Sequence, residues 1–262
     1  MRKLAIGTVI GIVGMLFGSL AAEAQTKSRL QQIAESGTLR IGVTGDWNPM
    51  SFRDPNTREL AGFDIDLFSR LAKEMGVKAE FVPTDWKTLV SGLTANKYDV
   101  TCSASISTQR AMAAGFTDPY FELTTVPLAA KAVADRFKTW DDINKPDVTV
   151  AATLGTVQEQ QVKQYFPNAK IRIIEAPARD YQEVLGGRAQ VHVTSNVEAL
   201  TLNKTHPNLV PLFMDKGRDK RPIAALVPQN DQAWINFLNH WIKMKKSDGF
   251  LDQISQKWLP QG

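Results

Sequence analysis

The sequence predicts an α/β protein of two units, each a parallel or mixed sheet covered by flanking helices. Three observations predict it. Strand patterns alternate with helix patterns along most of the chain, the grammar of parallel sheets with helices on their faces. A βαβαβ run ends near Ser103, and a second one restarts after Thr139 with no repetition of sequence. Between the two runs, Phe121–Lys131 reads as an extended segment leaving the first unit.

The elements follow in order. Arg2 and Lys3 precede the apolar, glycine-interrupted Leu4–Leu20, and Ala22-Glu23-Ala24 supplies an A-x-A cleavage site. Residues 1–24 are therefore expected to be a secretory signal, with Gln25 the mature start and the periplasm the destination. Gly37–Val43 reads as a strand, and Thr44–Met50 as a loop with an acid and a tryptophan. Asp64 and Asp66 suit the first turn of a helix whose apolar face is Leu67, Phe68, Leu71, Ala72 and Met75, with Gly76 ending it. Val77–Val82 alternates as a strand. Thr84-Asp85 reads as the cap of a helix whose Trp86, Leu89, Val90 and Leu93 share a face. Tyr98–Ser103 completes the first unit.

The second unit reads as a short helix at Thr139–Ile143, strand Val148–Ala152, helix Val157–Phe166, strand Lys170–Glu175, helix Arg179–Leu185, strand Gln190–Thr194, and a helix opened by Ser195-Asn196-Val197-Glu198. Leu209–Phe213 and Pro222–Val227 are further strands. Trp234, Phe237, Leu238, Trp241 and Ile242, then Phe250, Leu251, Ile254 and Trp258, fall at helical spacing. Stripes of this kind are core packing.

Composition excludes several classes. The 262 residues carry a formal charge of only +4, with Lys and Arg scattered, so no nucleic-acid partner is expected. The single Cys102 cannot form an internal disulfide. His192, His206 and His240 lack metal-ligand spacing. No phosphate- or dinucleotide-binding glycine motif is present. No metal and no cofactor are expected, and the protein is expected to be a monomer.

The stretch Thr101–Tyr120 bears the chemistry. A buried strand runs into the small hydroxyls Ser103, Ser105, Ser107 and Thr108, then delivers Arg110. A guanidinium matches a carboxylate in bidentate fashion, and hydroxyls and open backbone N–H groups add donors. The alternative is a solvated turn with a surface arginine. Two α/β units joined by extended segments imply a cleft. Across it, the Gly155-Thr156-Val157 helix start offers unpaired N–H groups that also suit an anion.

These residues carry a resemblance. The chain resembles the family-3 periplasmic solute-binding proteins of the amino-acid type, from Leu39–Val43 to Gly249–Leu251 and Trp258-Leu259. Its specific motifs are Gly62–Leu67, Ser105–Arg110 and Phe116–Tyr120. The resemblance implies a periplasmic-binding-protein-like fold with a two-crossing hinge, near Glu122–Leu128 and Asp219–Ala225. Lobe one would be 25–124 with 221–262, and lobe two 125–220. It implies a small carboxylate ligand, amino-acid-like or an organic acid, and an ABC transporter permease as partner. By position, Arg110 would clamp the carboxylate, Ser103 and Ser105 would assist, and Thr156 and Val157 would donate backbone N–H groups. Trp47 and Trp86 would sandwich the ligand side chain, or else pack the lobe.

The pattern also departs from the family. Where amino-acid binders place an aspartate for the ligand ammonium, this chain has Ser195 after Thr194, and the acid often found at Thr44 is missing. Asp46 could substitute, and a carboxylate lacking a free amine is a live option. Within the family the resemblance is strongest to the cyclohexadienyl dehydratase branch. It shows in Glu35-Ser36-Gly37, Thr44-Gly45-Asp46, Ala61–Asp64, Trp86 and Glu198-Ala199. Glu198 matches that branch's catalytic glutamate, a general acid for loss of a hydroxyl. The branch's supporting asparagine, lysine and aspartate fall at Thr153, near Thr125 and at Ser195, all changed here. Glu198 is then either an acid catalyst or a carboxylate favoured at a helix start.

Overall fold

The computed structural model describes residues 27–260; the expected signal segment lies outside them. Thr38–Val43 is the middle of a three-stranded parallel sheet, with Lys78–Pro83 on one side and Val100–Thr101 on the other. An eight-stranded mixed sheet holds most of the remaining strands. Its far end is parallel, Lys170–Ile174 beside Thr149–Thr153 beside Val191–Ser195. The remaining pairs are antiparallel.

Two ten-residue strands, Phe121–Ala130 and Arg218–Val227, join the units. The first half of Phe121–Ala130 pairs with Arg218–Val227, and its second half pairs with Val191–Ser195. Each long strand therefore runs from one lobe into the other, as the two expected crossings require.

The Tyr98–Ser103 strand is split. The Cys102 N–H closes on the Gly42 carbonyl at 2.8 Å, finishing the parallel sheet. The next residue, Ser103, already pairs with Ala225 in the mixed sheet. A single hydrophobic run thus serves two sheets, which alternation alone does not reveal.

Helix signals were mostly legible. Phe63–Met75 begins at Gly62, with Asp64 and Asp66 in its first turn, and ends at Gly76. Gly62 has φ 124°, and a Cβ there would lie 2.5 Å from the Met50 carbonyl, so only glycine fits. The helix after Thr84 starts later than expected, at Leu89, and runs to Thr94. Asp85 accepts from the Thr88 N–H at 2.8 Å and hydroxyl at 2.9 Å. That bond closes a turn before the helix, and Trp86 sits in the turn rather than on a helical face. Two features had no expectation. Arg29–Ser36 is a helix with a Ser28/Gln31 capping box. Asp46–Trp47, Ser51–Arg53 and Leu60–Ala61 form a small antiparallel sheet within the expected loop region.

The tryptophan stripes are packing. Trp234, Leu238, Trp241 and Leu251 share one buried cluster with Leu39, Ile41, Leu67 and Leu71, so the C-terminal helices cover the first lobe. Trp234 Nε1 donates to the Asp99 carbonyl at 3.0 Å and Trp241 Nε1 to Glu74 at 2.7 Å, satisfying the polar edge that burial would otherwise strand. A second buried cluster, with Val150, Val162, Phe166 and Val191, fills the other lobe. Among the described residues no helix is long and apolar enough to cross a membrane.

Candidate functional site

The lobes meet around a cavity of about 30 Å³, room for no more than a few waters. Trp47, Trp86, Ser105 and Arg110 line it from the first lobe. Thr153, Thr156 and Val157 line it from one strand-to-helix turn of the second, and Arg179, Thr194 and Glu198 from two more. The lobes are closed on one another. Gly155, at φ 80°, lies so close to the first lobe that a Cβ would sit 2.5 Å from the Lys87 nitrogen. Lys87 also pairs with Glu175 at 2.7 Å, and the Gln160 amide donates to Gln109.

Arg110 is 7 % exposed. Ser107 caps the Thr108–Ala111 turn that presents it. Its Nη1 donates to the Ser105 carbonyl at 3.0 Å, and its Nη2 reaches across the cleft to the Gly155 carbonyl at 3.2 Å. The Trp86 ring lies 5.8 Å from the guanidinium, within cation–π range. Among the described residues no carboxylate pairs with it. Burial, and then Arg221, pull its pKa down to about 10. A buried, uncompensated guanidinium is costly, and an anion entering the cleft relieves that cost.

Trp47 and Trp86 meet edge to face, ring centroids 5.6 Å apart. Both line the cavity and both pack on the lobe core. Trp86 Nε1 donates to Asp46 at 3.1 Å.

Several expected residues are engaged elsewhere. Ser103 is buried behind the cavity wall, donating its hydroxyl to Asp64 at 2.5 Å and sharing a 2.8 Å bond with the Tyr120 hydroxyl. Ser195 caps the Asn196–Thr205 helix by accepting from the Glu198 N–H at 3.3 Å. Neither lines the cavity. Thr156 does line it, but its hydroxyl donates to the Thr153 carbonyl at 2.6 Å and accepts from the Glu159 N–H. It caps the Val157–Tyr165 helix, whose remaining first-turn N–H groups have no intrahelical partner. Asp46 stands behind Trp86, off the cavity surface. Thr153 lines the cavity with its hydroxyl buried and unpartnered.

The residue sequence reasoning missed is Arg179, at the N-cap of Asp180–Leu185. Its Nη2 pairs with Glu198 at 3.0 Å. Its Nη1 lies 3.3 Å from the Asp46 carboxylate and also donates to the Asp46 carbonyl, bridging the lobes. One signal was available. A cation at the positive end of a helix opposes the dipole and calls for acids from elsewhere in the chain. The other Glu198 oxygen accepts from the Thr194 hydroxyl. Burial pushes the Glu198 carboxyl above its ordinary range, with Arg179 opposing the shift. Asp180 faces His192 at 3.5 Å. Among the described residues no cluster could hold a metal ion.

Residues 39–261 match the family described as bacterial extracellular solute-binding proteins, family 3. A cyclohexadienyl dehydratase of Pseudomonas aeruginosa is 32 % identical over 93 % of this chain and 90 % of its own length. An L-cystine-binding protein of Escherichia coli is 28 % identical over 95 % of this chain and 94 % of its own. Among solved structures, an ancestral amino acid-binding protein, described as a precursor of cyclohexadienyl dehydratase, superposes with a TM-score of 0.83 at 39 % identity, covering 89 % of this chain and all of its own. A binding component of an ABC transporter from Wolinella succinogenes, complexed with lysine, gives 0.80 at 30 % identity, covering 86 % and 97 %. The match over nearly the whole described length, on a closed two-lobed fold, places this chain among the family-3 bacterial extracellular solute-binding proteins.

Proposed function

We propose that this protein captures a small carboxylate between its two lobes and passes it to an ABC-type permease. In this reading it is exported to the periplasm with residues 1–24 removed and acts there as a monomer. Residues 25–124 with 221–262 form one lobe and 125–220 the other, the two long strands serving as hinge. Arg110 carries the reading: it is a buried cation without an acid partner among the described residues, set where the lobes meet and bonded to a carbonyl from each. The relatives that bind amino acids or serve ABC transporters support the class of ligand and partner.

In this mechanism the carboxylate takes the Arg110 N–H groups that the Ser105 and Gly155 carbonyls leave free. The Ser105 hydroxyl and the first-turn N–H groups at Val157 then add donors from opposite lobes, and the Trp47–Trp86 pair covers the ligand's body. The cavity is small for any such ligand, so entry requires the lobes to part, and recapture is closure about the hinge. The test is a calorimetric screen of small carboxylates, with small-angle scattering of the protein before and after addition. Saturable binding with compaction is expected; the absence of binding across the screen would overturn the reading.

One observation favours a second reading. Glu198 lines the cavity, is buried, and has its carboxyl shifted toward the protonated form, as a general acid requires. The alternative function is therefore a prephenate or arogenate dehydratase, a carbon–oxygen lyase. Against it, Arg179 and the Thr194 hydroxyl occupy both Glu198 oxygens, and Thr125 is bonded to Gln161. Incubation with prephenate and arogenate, against a Glu198→Gln control, separates the two. Product formed by the wild type and lost in the control would establish the lyase.

A further inference from the structure

The charges around the cavity are unequally committed. Each carboxylate near it already has a cation, a donor or an imidazole of this chain beside it. For Glu198 these are the Arg179 guanidinium and the Thr194 hydroxyl. For Asp46 they are Trp86 Nε1 and the Arg179 guanidinium at 3.3 Å; Asp180, which also lines the cavity, accepts from the Tyr181 N–H and faces His192 Nδ1 at 3.5 Å. On the donor side, among the described residues, Arg110 lacks a carboxylate and the buried Thr153 hydroxyl lacks any partner.

We propose that the ligand is a carboxylate bearing an uncharged oxygen beside the carboxyl group, a 2-oxo or 2-hydroxy acid, and that Arg179 is the residue that excludes α-amino acids. The inference rests on the reading of Arg110 as the carboxylate clamp. A ligand ammonium must find acceptors once it is desolvated. Of the acids that line the cavity, Glu198 pairs with Arg179 at 3.0 Å and Asp180 lies 3.9 Å from Arg179 Nε, and Arg179 also reaches Asp46 behind Trp86, so this chain carries its own cation among all three. The hydroxyl of Ser195 is spent on the helix cap. An oxo or hydroxyl oxygen needs no such acceptor, and the Thr153 hydroxyl can bond to it. Specificity of this kind comes from leaving the wrong ligand's polar group unpaired.

The test is calorimetric titration at pH 7.5 with matched pairs: pyruvate and alanine, 2-oxoglutarate and glutamate, phenylpyruvate and phenylalanine. The wild type is expected to bind the 2-oxo acid of at least one pair at least tenfold more tightly than the amino acid. In Arg179→Met the freed carboxylates should shift that ratio at least tenfold toward the amino acid. In Arg179→Lys, which keeps the cation, the wild-type preference should persist. Tighter binding of the amino acids by the wild type would overturn the inference and leave the carboxylate clamp standing. Binding of neither member of any pair would overturn both. If Arg179→Met does not fold, the wild-type ratio and Arg179→Lys still decide.

Discussion

Gly155→Ala tests whether the closed contact between the lobes contributes to binding. The substitution has two separable costs. Placing alanine at φ 80° strains the backbone by about 1–2 kcal/mol in open and closed forms alike. The added Cβ would also lie 2.5 Å from the Lys87 nitrogen and 2.6 Å from its Cα, and backbone cannot swing aside as a side chain can. Relief requires the lobes to part by roughly 1 Å at this point to reach ordinary van der Waals contact. The Arg110 to Gly155 bond is 3.2 Å long, and that movement stretches it to roughly 4 Å, beyond hydrogen-bond range. A lost charge-assisted bond is worth about 1.5–3 kcal/mol, so affinity for the tightest carboxylate found in the screen should fall about ten- to hundredfold. Gly187→Ala is the control. It has φ 70° and nothing within 4 Å of its Cβ, so it bears the strain without the clash. Calorimetry and thermal melts on both variants read the two costs. Both should melt lower, and only Gly155→Ala should bind more weakly. Equal affinity of the two would refute the claim that this contact belongs to the bound form.

Two further outcomes follow from buried groups. Asp64 is fully enclosed beneath Ser103, and burial pushes its pKa from 3.8 up to about 7. The folded state holds its proton longer than the unfolded chain, so stability falls as pH rises from about 4 to 7 and is flat above. Asp64→Asn keeps the bonds to Ser103 without the proton. Its stability relative to wild type, from denaturant melts, should therefore rise by about 4 kcal/mol across that window; a constant difference would refute this. Ser195→Ala removes the cap on the Glu198 N–H at a cost of about 1 kcal/mol, a drop of roughly 2–4 °C in Tm. Ligand affinity should stay within about twofold, because the hydroxyl caps a helix and does not line the cavity; a tenfold loss would restore Ser195 as a ligand group.

The parts of the fold that were legible in the sequence are those fixed by local chemistry. Gly76 ends its helix and the Thr156 hydroxyl caps the helix that it opens, signals whose partners lie within a few residues. The same holds for Arg110, whose small-residue surroundings are contiguous in the chain. What escaped depends on distant partners. Cys102 divides two sheets because of Gly42 and the Ala225 strand. Trp86 left its expected helix because the Asp85 side chain closes a turn first. Ser103 turned inward because Asp64 and Tyr120 wait behind it. Arg179 was missed because its partners Asp46 and Glu198 stand 133 and 19 residues away, and the one local hint was a cation at a helix start.

The most direct test of the carboxylate clamp is titration of wild type, Arg110→Lys and Arg110→Met with the tightest carboxylate from the screen. Loss of a buried charge partner costs about 2–5 kcal/mol, so Arg110→Met should bind at least thirtyfold more weakly. Arg110→Lys, which keeps the charge but loses the fork, should fall between. Affinities within threefold of one another across the three proteins would contradict the assignment of Arg110 as the group that holds the ligand.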